Sequence, residues 1–450
     1  MIVIGEIRVD ILNDKVKPVY FRYLLAASGS AMVVSVFGMI DAMMVGQYHG
    51  PVGTAALAVF SPLWSIIYCL GLLSGIGGSV LFANLRGRGE EEKAQQYFTM
   101  AVLYGVVLSA VAMLGIGRYQ NQLLRFFGAD EELLVLAKLY LKPIIWAFPC
   151  CVFTSIFSAY LRNDNNPGLA TKAVIIGGVF NCIGDYVCVF VLDLGILGAG
   201  IATSAAQYVA LLCMMAHFLT KKNTLRFVKP GDALQKIRDI TLTGFSTAIS
   251  DLALGIIGIL FNRQVMKYLG ADALAVYGVI IQVTVLAQCI AYGTGQAAQP
   301  IISQNYGAGQ YARIRECTKY GLYSAVAMGL FWMIVMLAFP NTLMNFFMDA
   351  TPEVAKIGPR ILRIYGLSYL LLPVNIFATY YFQSMMKPDR AMVISLARGA
   401  VISGVMIMLL PALFGPDSIW LAMLITEMIV AIYGAVCMIR CNKELGEQEA

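Results

Sequence analysis

The sequence predicts an all-α integral membrane protein of twelve transmembrane helices, arranged as two pseudo-symmetric six-helix bundles. Three observations carry that prediction. Of 450 residues, 59% are hydrophobic and only 13% charged, with a mean hydropathy of +0.74. A soluble domain averages about 25% charged residues, so this chain lacks the charge to cover two or three soluble domains. Stretches free of Asp, Glu, Lys and Arg run over 42–85, 194–220, 273–312, 320–348 and 364–386. Each matches or exceeds the roughly 20 residues a helix needs to cross about 30 Å of hydrocarbon. They are continuously apolar, whereas barrel strands alternate over about 10 residues. The third observation is an internal repeat, described below.

The spans are predicted at 23–46, 55–81, 97–116, 135–160, 173–192, 198–218, 241–266, 273–301, 320–339, 361–384, 391–412 and 418–439. With both termini in the cytoplasm, 22 Lys and Arg lie on the inner side, nine lie in or near outer loops, and Arg398 lies within the eleventh span. That asymmetry is the positive-inside pattern. The net charge of +6 is therefore a topology signal and implies no nucleic-acid partner. Glu6, Arg8, Asp10 and Asp14 precede the first apolar run, so no cleavable signal is expected.

Near the midpoint the segment Thr220–Asp239 carries six cations and reads as a solvated linker near anionic headgroups. It divides the chain into an N-terminal six-helix lobe (1–219), an inter-lobe loop (220–240) and a C-terminal six-helix lobe (241–450). The halves match along their length. Leu57-Ala58-Val59 matches Leu274-Ala275-Val276, Gly75-Ile76-Gly77 matches Gly293-Thr294-Gly295, and Gly87-Arg88-Gly89 matches Gly307-Ala308-Gly309. Asn166-Pro167 precedes the fifth span as Lys387-Pro388 precedes the eleventh. Parallel repeats of this kind are typical of secondary transporters. Gly87-x-Gly89 and Gly307-x-Gly309 read as helix-ending turns; no strand precedes them and no Lys-Ser/Thr follows, which excludes a P-loop.

An acid in hydrocarbon costs several kcal/mol, which makes each one a functional candidate. Asp41 in the first span, Asp185 in the fifth and Thr203 in the sixth fall at one depth, five to seven residues from the outer ends. Asn181 shares the helix face of Asp185. Two carboxylates, an amide and a hydroxyl suit Na⁺, or a proton held between two acids that cannot both ionise. The alternative is that these groups only pin neighbouring helices together. Asp251 and Glu427 are the C-terminal acids, and Gln282 and Asn375 join them as a candidate substrate or proton site. Arg398 either snorkels to the interface or pairs with Glu427. Gln207, Gln288 and Gln383 are further candidate cavity polars. With two histidines, and neither a metal nor a Ser-His-Asp constellation at membrane depth, an enzyme is not expected.

Several stretches are similar to the multidrug and toxic compound extrusion (MATE) family. They are Asp41-Ala-Met-Met-Val-Gly46, Arg162-Asn-Asp-Asn-Asn-Pro-Gly168, Asn181-Cys-Ile-Gly-Asp185, Leu197-Gly-Ala-Gly-Ile-Ala-Thr203 and Met386-Lys-Pro-Asp-Arg390. The similarity spans residues 15 to 440. It implies a V-shaped, two-lobed exporter of organic, often cationic, small molecules, coupled to Na⁺ or H⁺ by rocking of the lobes. It also implies a cation site at Asp41, Asn181, Asp185 and Thr203, with Asp41, Asn181 and Asp185 holding Na⁺ if coupling is to sodium. Asp251 lies near the position of a second-lobe acid, one residue out of register. Two family prolines are missing, since the first span reads Leu25-Ala-Ala-Ser-Gly-Ser30 and Gly244 stands in the seventh. The expectation is thus a monomeric antiporter of the cell membrane, with small-molecule substrates and no cofactor beyond the coupling ion. The alternative is a related flippase for lipid-linked saccharides.

Overall fold

A computed structural model of the protein describes residues 10–348 and 351–449, apart from the side chains at 51, 251, 254, 256, 448 and 449. Twelve long helices follow in order: α1 Val16–Gly50, α2 Val52–Gly87, α3 Glu91–Phe126, α4 Glu131–Asn163, α5 Pro167–Val191, α6 Gly195–Leu219, α7 Ala233–Tyr268, α8 Gly270–Gly307, α9 Tyr311–Ala338, α10 Pro352–Ser384, α11 Pro388–Phe414 and α12 Pro416–Glu447. Among the described residues there is no strand. Eleven of these helices are long and apolar enough to span a membrane, and α7, at 36 residues, is about 54 Å long. The all-α, twelve-helix fold expected from the sequence is the one observed.

Local chemistry sets the ends. Pro167, Pro352, Pro388 and Pro416 open their helices, where a missing N–H costs nothing and φ is already helical. Asp130 caps α4 by accepting from the Leu133 N–H at 2.9 Å. Every helix begins before its predicted span, and all but α5, α9 and α10 also run past its end, because hydropathy locates only the desolvated part while backbone hydrogen bonding continues into water. Between α1 and α2 the chain breaks at Gly50, whose φ of +65° suits glycine. There His49 Nε2 accepts the Ile196 N–H at 3.0 Å, and the Tyr48 hydroxyl donates to Asp193 at 2.6 Å. The α1–α2 turn is thus clasped to the start of α6. No other residue of α1 departs from helical geometry, Gly29 included.

The halves meet at the end carrying the start of α1, termed the basic end because its loops and adjoining helix ends hold most of the Lys and Arg. One core lies within residues 45–240. A second joins Leu72, Ile76, Val80 and Ala159 to residues 257–423, and a third joins Ile11–Leu24 to residues 297–445. Glycines permit the closest approaches between helices. A Cβ on Gly87 would stand 2.0 Å from the Gln304 carbonyl oxygen, and one on Gly307 1.9 Å from that of Asn84. One on Gly244 would stand 2.1 Å from the Leu73 oxygen. The paired motifs therefore divide their labour. Gly89 and Gly309, at φ +78° and +70°, make the helix-ending turns, while Gly87 and Gly307 are packing positions between the halves.

The basic segment departs from a solvated linker. Arg226 N–H donates to Gln95 Oε1 at 2.8 Å, Val228 N–H to Thr99 Oγ1 at 3.0 Å, and Gln95 Nε2 to the Thr224 carbonyl at 2.9 Å. Phe227 packs on Phe98 at 5.1 Å. Residues 224–228 are thus strapped along α3. Buried Asp164 is the hub. It accepts from Arg86 Nη1 at 2.9 Å, from Thr224 N–H at 2.9 Å and from the Thr224 hydroxyl, with His217 Nε2 at 2.7 Å. The six cations of the segment around the strap concealed this, because the groups that hold it lie elsewhere in the chain.

Candidate functional site

The four residues expected to form one site do come together. Asp41, Asp185 and Thr203 lie nine, six and eight residues from the α1, α5 and α6 ends opposite the basic end, or about 9–14 Å along the helix axis. Asn181 and Asp185 share a face of α5, and Asn181 Nδ2 donates both to Asp185 Oδ1 at 3.2 Å and to Thr203 Oγ1 at 3.3 Å. Immediately beyond Asp185, α5 widens into a π-helical turn over Tyr186–Val191, a feature that tends to mark functional positions in helices. Asp41 is 8% exposed and Asp185 fully buried. They are close enough for the charge of one to act on the other, and Thr203 lies beside Asp41 as well.

Sequence reasoning missed Tyr140 on α4, whose hydroxyl donates to Asp41 Oδ2 at 2.8 Å. Its ring stands edge-on to Phe60 at 4.9 Å. A tyrosine in the outer third of a span is ordinary in sequence, and nothing nearby singles it out.

Pins and open ligands coexist here. One oxygen of each acid is engaged: Asp41 Oδ2 ties α1 to α4 through Tyr140, and Asp185 Oδ1 accepts from Asn181 on its own helix, which in turn reaches Thr203 on α6. The other oxygens, Asp41 Oδ1 and Asp185 Oδ2, are buried and have no partner among the described residues. Pinning alone leaves no reason for two unsatisfied carboxylate oxygens in a packed bundle. Oxygens of this kind can hold a hard monovalent cation or share a proton.

The C-terminal candidates separate. Glu427 is fully buried: Oε1 accepts from Arg398 Nε at 2.7 Å, and Oε2 from Asn375 Nδ2 at 2.6 Å. Arg398 therefore pairs with Glu427 and does not snorkel, and Asn375 belongs to the same cluster. Gln282 does not, being exposed on α8, while Gln288 lines a cavity beside Arg398 and Glu427. Both glutamines are uncharged within one span, and only the rotation of α8 decides which faces in. The side chain of Asp251 lies outside the described residues. Gln383 is a structural crosspiece, donating to the Thr243 carbonyl at 2.8 Å and to Ser246 at 2.7 Å and accepting from Thr247 at 2.9 Å. Gln207 accepts from Thr154 at 3.3 Å.

Two six-helix halves, spanning helices and paired carboxylates at membrane depth define a multi-pass membrane transporter. The MatE family model matches residues 26–187 and 247–409, one segment in each half, and the chain belongs to that family. It is 24% identical over 408 residues to the multidrug export protein MepA of Staphylococcus saprophyticus, covering 90% of this chain and 89% of that protein. Among solved structures it is similar to an outward-facing multidrug resistance MATE transporter, at TM-score 0.90 and 20% identity, covering 98% of this chain and 99% of that one. It is also similar to a MATE protein in its bent conformation, at TM-score 0.89 and 20% identity, covering 98% of each chain.

Proposed function

We propose that this protein is a cation-coupled antiporter of the cell membrane, exporting organic, often cationic, small molecules in exchange for Na⁺ or H⁺. The observation that carries the reading is the pair of buried, unpartnered oxygens on Asp41 and Asp185, held in place by Asn181, Thr203 and Tyr140. A cation or proton entering from the outside takes those oxygens, substrate is released, and the halves rock to reopen at the basic end. Coupling requires that the ion bind one arrangement of the halves more tightly than the other. The glycine contacts at the basic end support an arrangement closed there, with that end and both termini on the cytoplasmic side. MepA, a relative named for multidrug export, supports the substrate class. The protein acts as a monomer, with no cofactor other than the coupling ion and no enzymatic step. A lipid-linked-saccharide flippase would use a strongly basic cavity, and here Glu427 neutralises Arg398, so that reading gains no support.

Ethidium transport into inside-out vesicles, under separate Na⁺ and pH gradients, tests the proposal. Accumulation should follow one imposed gradient and stop when an ionophore collapses it. Accumulation that continues with both gradients collapsed would overturn antiport.

A further inference from the structure

The C-terminal half contains a cavity of about 120 Å³ between α7, α8, α10, α11 and α12. It is comparable to a cavity of about 150 Å³ that admits a benzene-sized guest. Arg398 lines it from a π-helical turn, Ala397–Val401, in α11. The guanidinium is held at one edge only, by Nε donating to Glu427 Oε1 at 2.7 Å. Among the described residues its two terminal Nη nitrogens have no partner, although the side chain is only 10% exposed. Glu427 has no such freedom, since its second oxygen is taken by Asn375. The glutamate thus aims the arginine, and the group left open toward the cavity is a hydrogen-bond donor with positive charge.

We propose that this cavity is a binding subsite for the carboxylate group of a small organic molecule, received by the Nη edge of Arg398. A planar guanidinium offers two parallel N–H donors to a carboxylate, a bidentate geometry that an ammonium cannot supply. The rest of the cavity suits a ring: Tyr277, Tyr365, Ile257 and Met423 supply apolar walls, and Thr284 and Gln288 supply polar points. Because Glu427 already balances Arg398, a ligand carrying its own positive group enters without adding net charge to the bilayer interior. The faces of Tyr277 and Tyr365 can receive such a group by cation–π attraction. The subsite therefore favours carboxylate-bearing, zwitterionic compounds over simple cations. As a statement about substrates, this rests on the export reading above; as a binding site, it stands without it.

Binding to the detergent-solubilised full-length protein tests the subsite in the absence of any gradient. The probes are benzoate, its uncharged isostere benzamide, and benzylamine. Trp420 lies 6.4 Å from Tyr277, centroid to centroid, so its fluorescence reports occupancy. Benzoate should bind at least about tenfold more tightly than benzamide or benzylamine, a ratio expected of a charge-assisted bidentate contact. Arg398→Gln should abolish that preference. Because this variant strands Glu427, the double variant Arg398→Gln/Glu427→Gln, with no buried charge left unpaired, should show the same loss while keeping a cooperative thermal transition. Equal binding of benzoate and benzamide by the unaltered protein would overturn the proposal, as would a benzoate preference that survives in the double variant. A benzoate preference without gradient-dependent ethidium transport would sustain the subsite and count against antiport alone.

Discussion

Replacing Gly307 or Gly87 with alanine tests whether the contact at the basic end holds one arrangement of the halves. The added Cβ would stand 1.9 Å from the Asn84 carbonyl oxygen at Gly307, and 2.0 Å from that of Gln304 at Gly87. Real Cβ contacts essentially never fall under 3.0 Å, so α2 and α8 must part by about 1 Å. Both obstacles are backbone, which cannot rotate aside. Overpacking of this kind costs about 1–3 kcal/mol. Because the contact crosses between the halves, the cost falls on the closed arrangement and spares any state in which the basic end is open. The closed-to-open ratio should therefore drop by a factor of about 5–150. Spin labels on Arg88→Cys and Glu316→Cys, both exposed positions, read the separation directly, and Gly307→Ala should raise a longer-distance population. Gly309→Ala is the control. It adds strain at φ +70° but meets nothing within 4 Å, so it should leave the distances alone. If Gly307→Ala also leaves the distribution unchanged, the reasoning about the contact is wrong.

Other consequences concern single groups. Tyr140→Phe keeps the ring but removes the hydrogen bond to Asp41, a charge-assisted contact of about 1.5–3 kcal/mol. The ion concentration for half-maximal transport should shift by about tenfold or more, and an unchanged ion dependence would count against a role for Tyr140 in the site. Burial opposes charge on Asp164, but the bonds from His217 and Thr224, together with the charge of Arg86, outweigh it and hold the carboxyl below its ordinary value. A depressed native pKa contributes stability that is complete above the unfolded value of about 3.9 and is lost as pH falls through the native one. Asp164→Asn should therefore lower Tm at about pH 7, with the gap narrowing below about pH 4. A gap that stays constant across that range would show that the carboxylate's charge does not hold the strap. Gln383→Leu strands three polar groups on α7 and should cost about 1–3 kcal/mol for each one left buried and unpaired, read as a fall in thermal stability; an unchanged midpoint would contradict the crosspiece role.

What the sequence revealed follows from which physical costs act locally. Charge inside hydrocarbon is expensive wherever it sits, so Asp41, Asp185, Arg398 and Glu427 stood out without a structure. The four-residue spacing put Asn181 with Asp185 by helix geometry alone. Tyr140 was hidden because its importance lies in a contact with Asp41, 99 residues away. Gln282 and Gln288 were indistinguishable because hydropathy says nothing about helix rotation. The paired glycine motifs were visible as a repeat, yet the closeness of Gly87 to Gln304 exists only once the halves are assembled. The strap over α3 was misjudged for a related reason: the lysines and arginines of the segment around it speak of solvent, while Gln95, Thr99 and Asp164 bind its backbone.

The central claim is that the unpartnered oxygens of Asp41 and Asp185 couple an ion to export. It is tested most directly by ethidium transport in inside-out vesicles bearing Asp41→Asn or Asp185→Asn, each variant checked for unchanged abundance and thermal stability. An amide preserves shape but offers neither the negative charge nor the titratable proton. The account predicts that each variant loses gradient-driven accumulation while still binding ethidium at equilibrium. Accumulation at the unaltered protein's rate in both variants would contradict it and move the coupling site elsewhere.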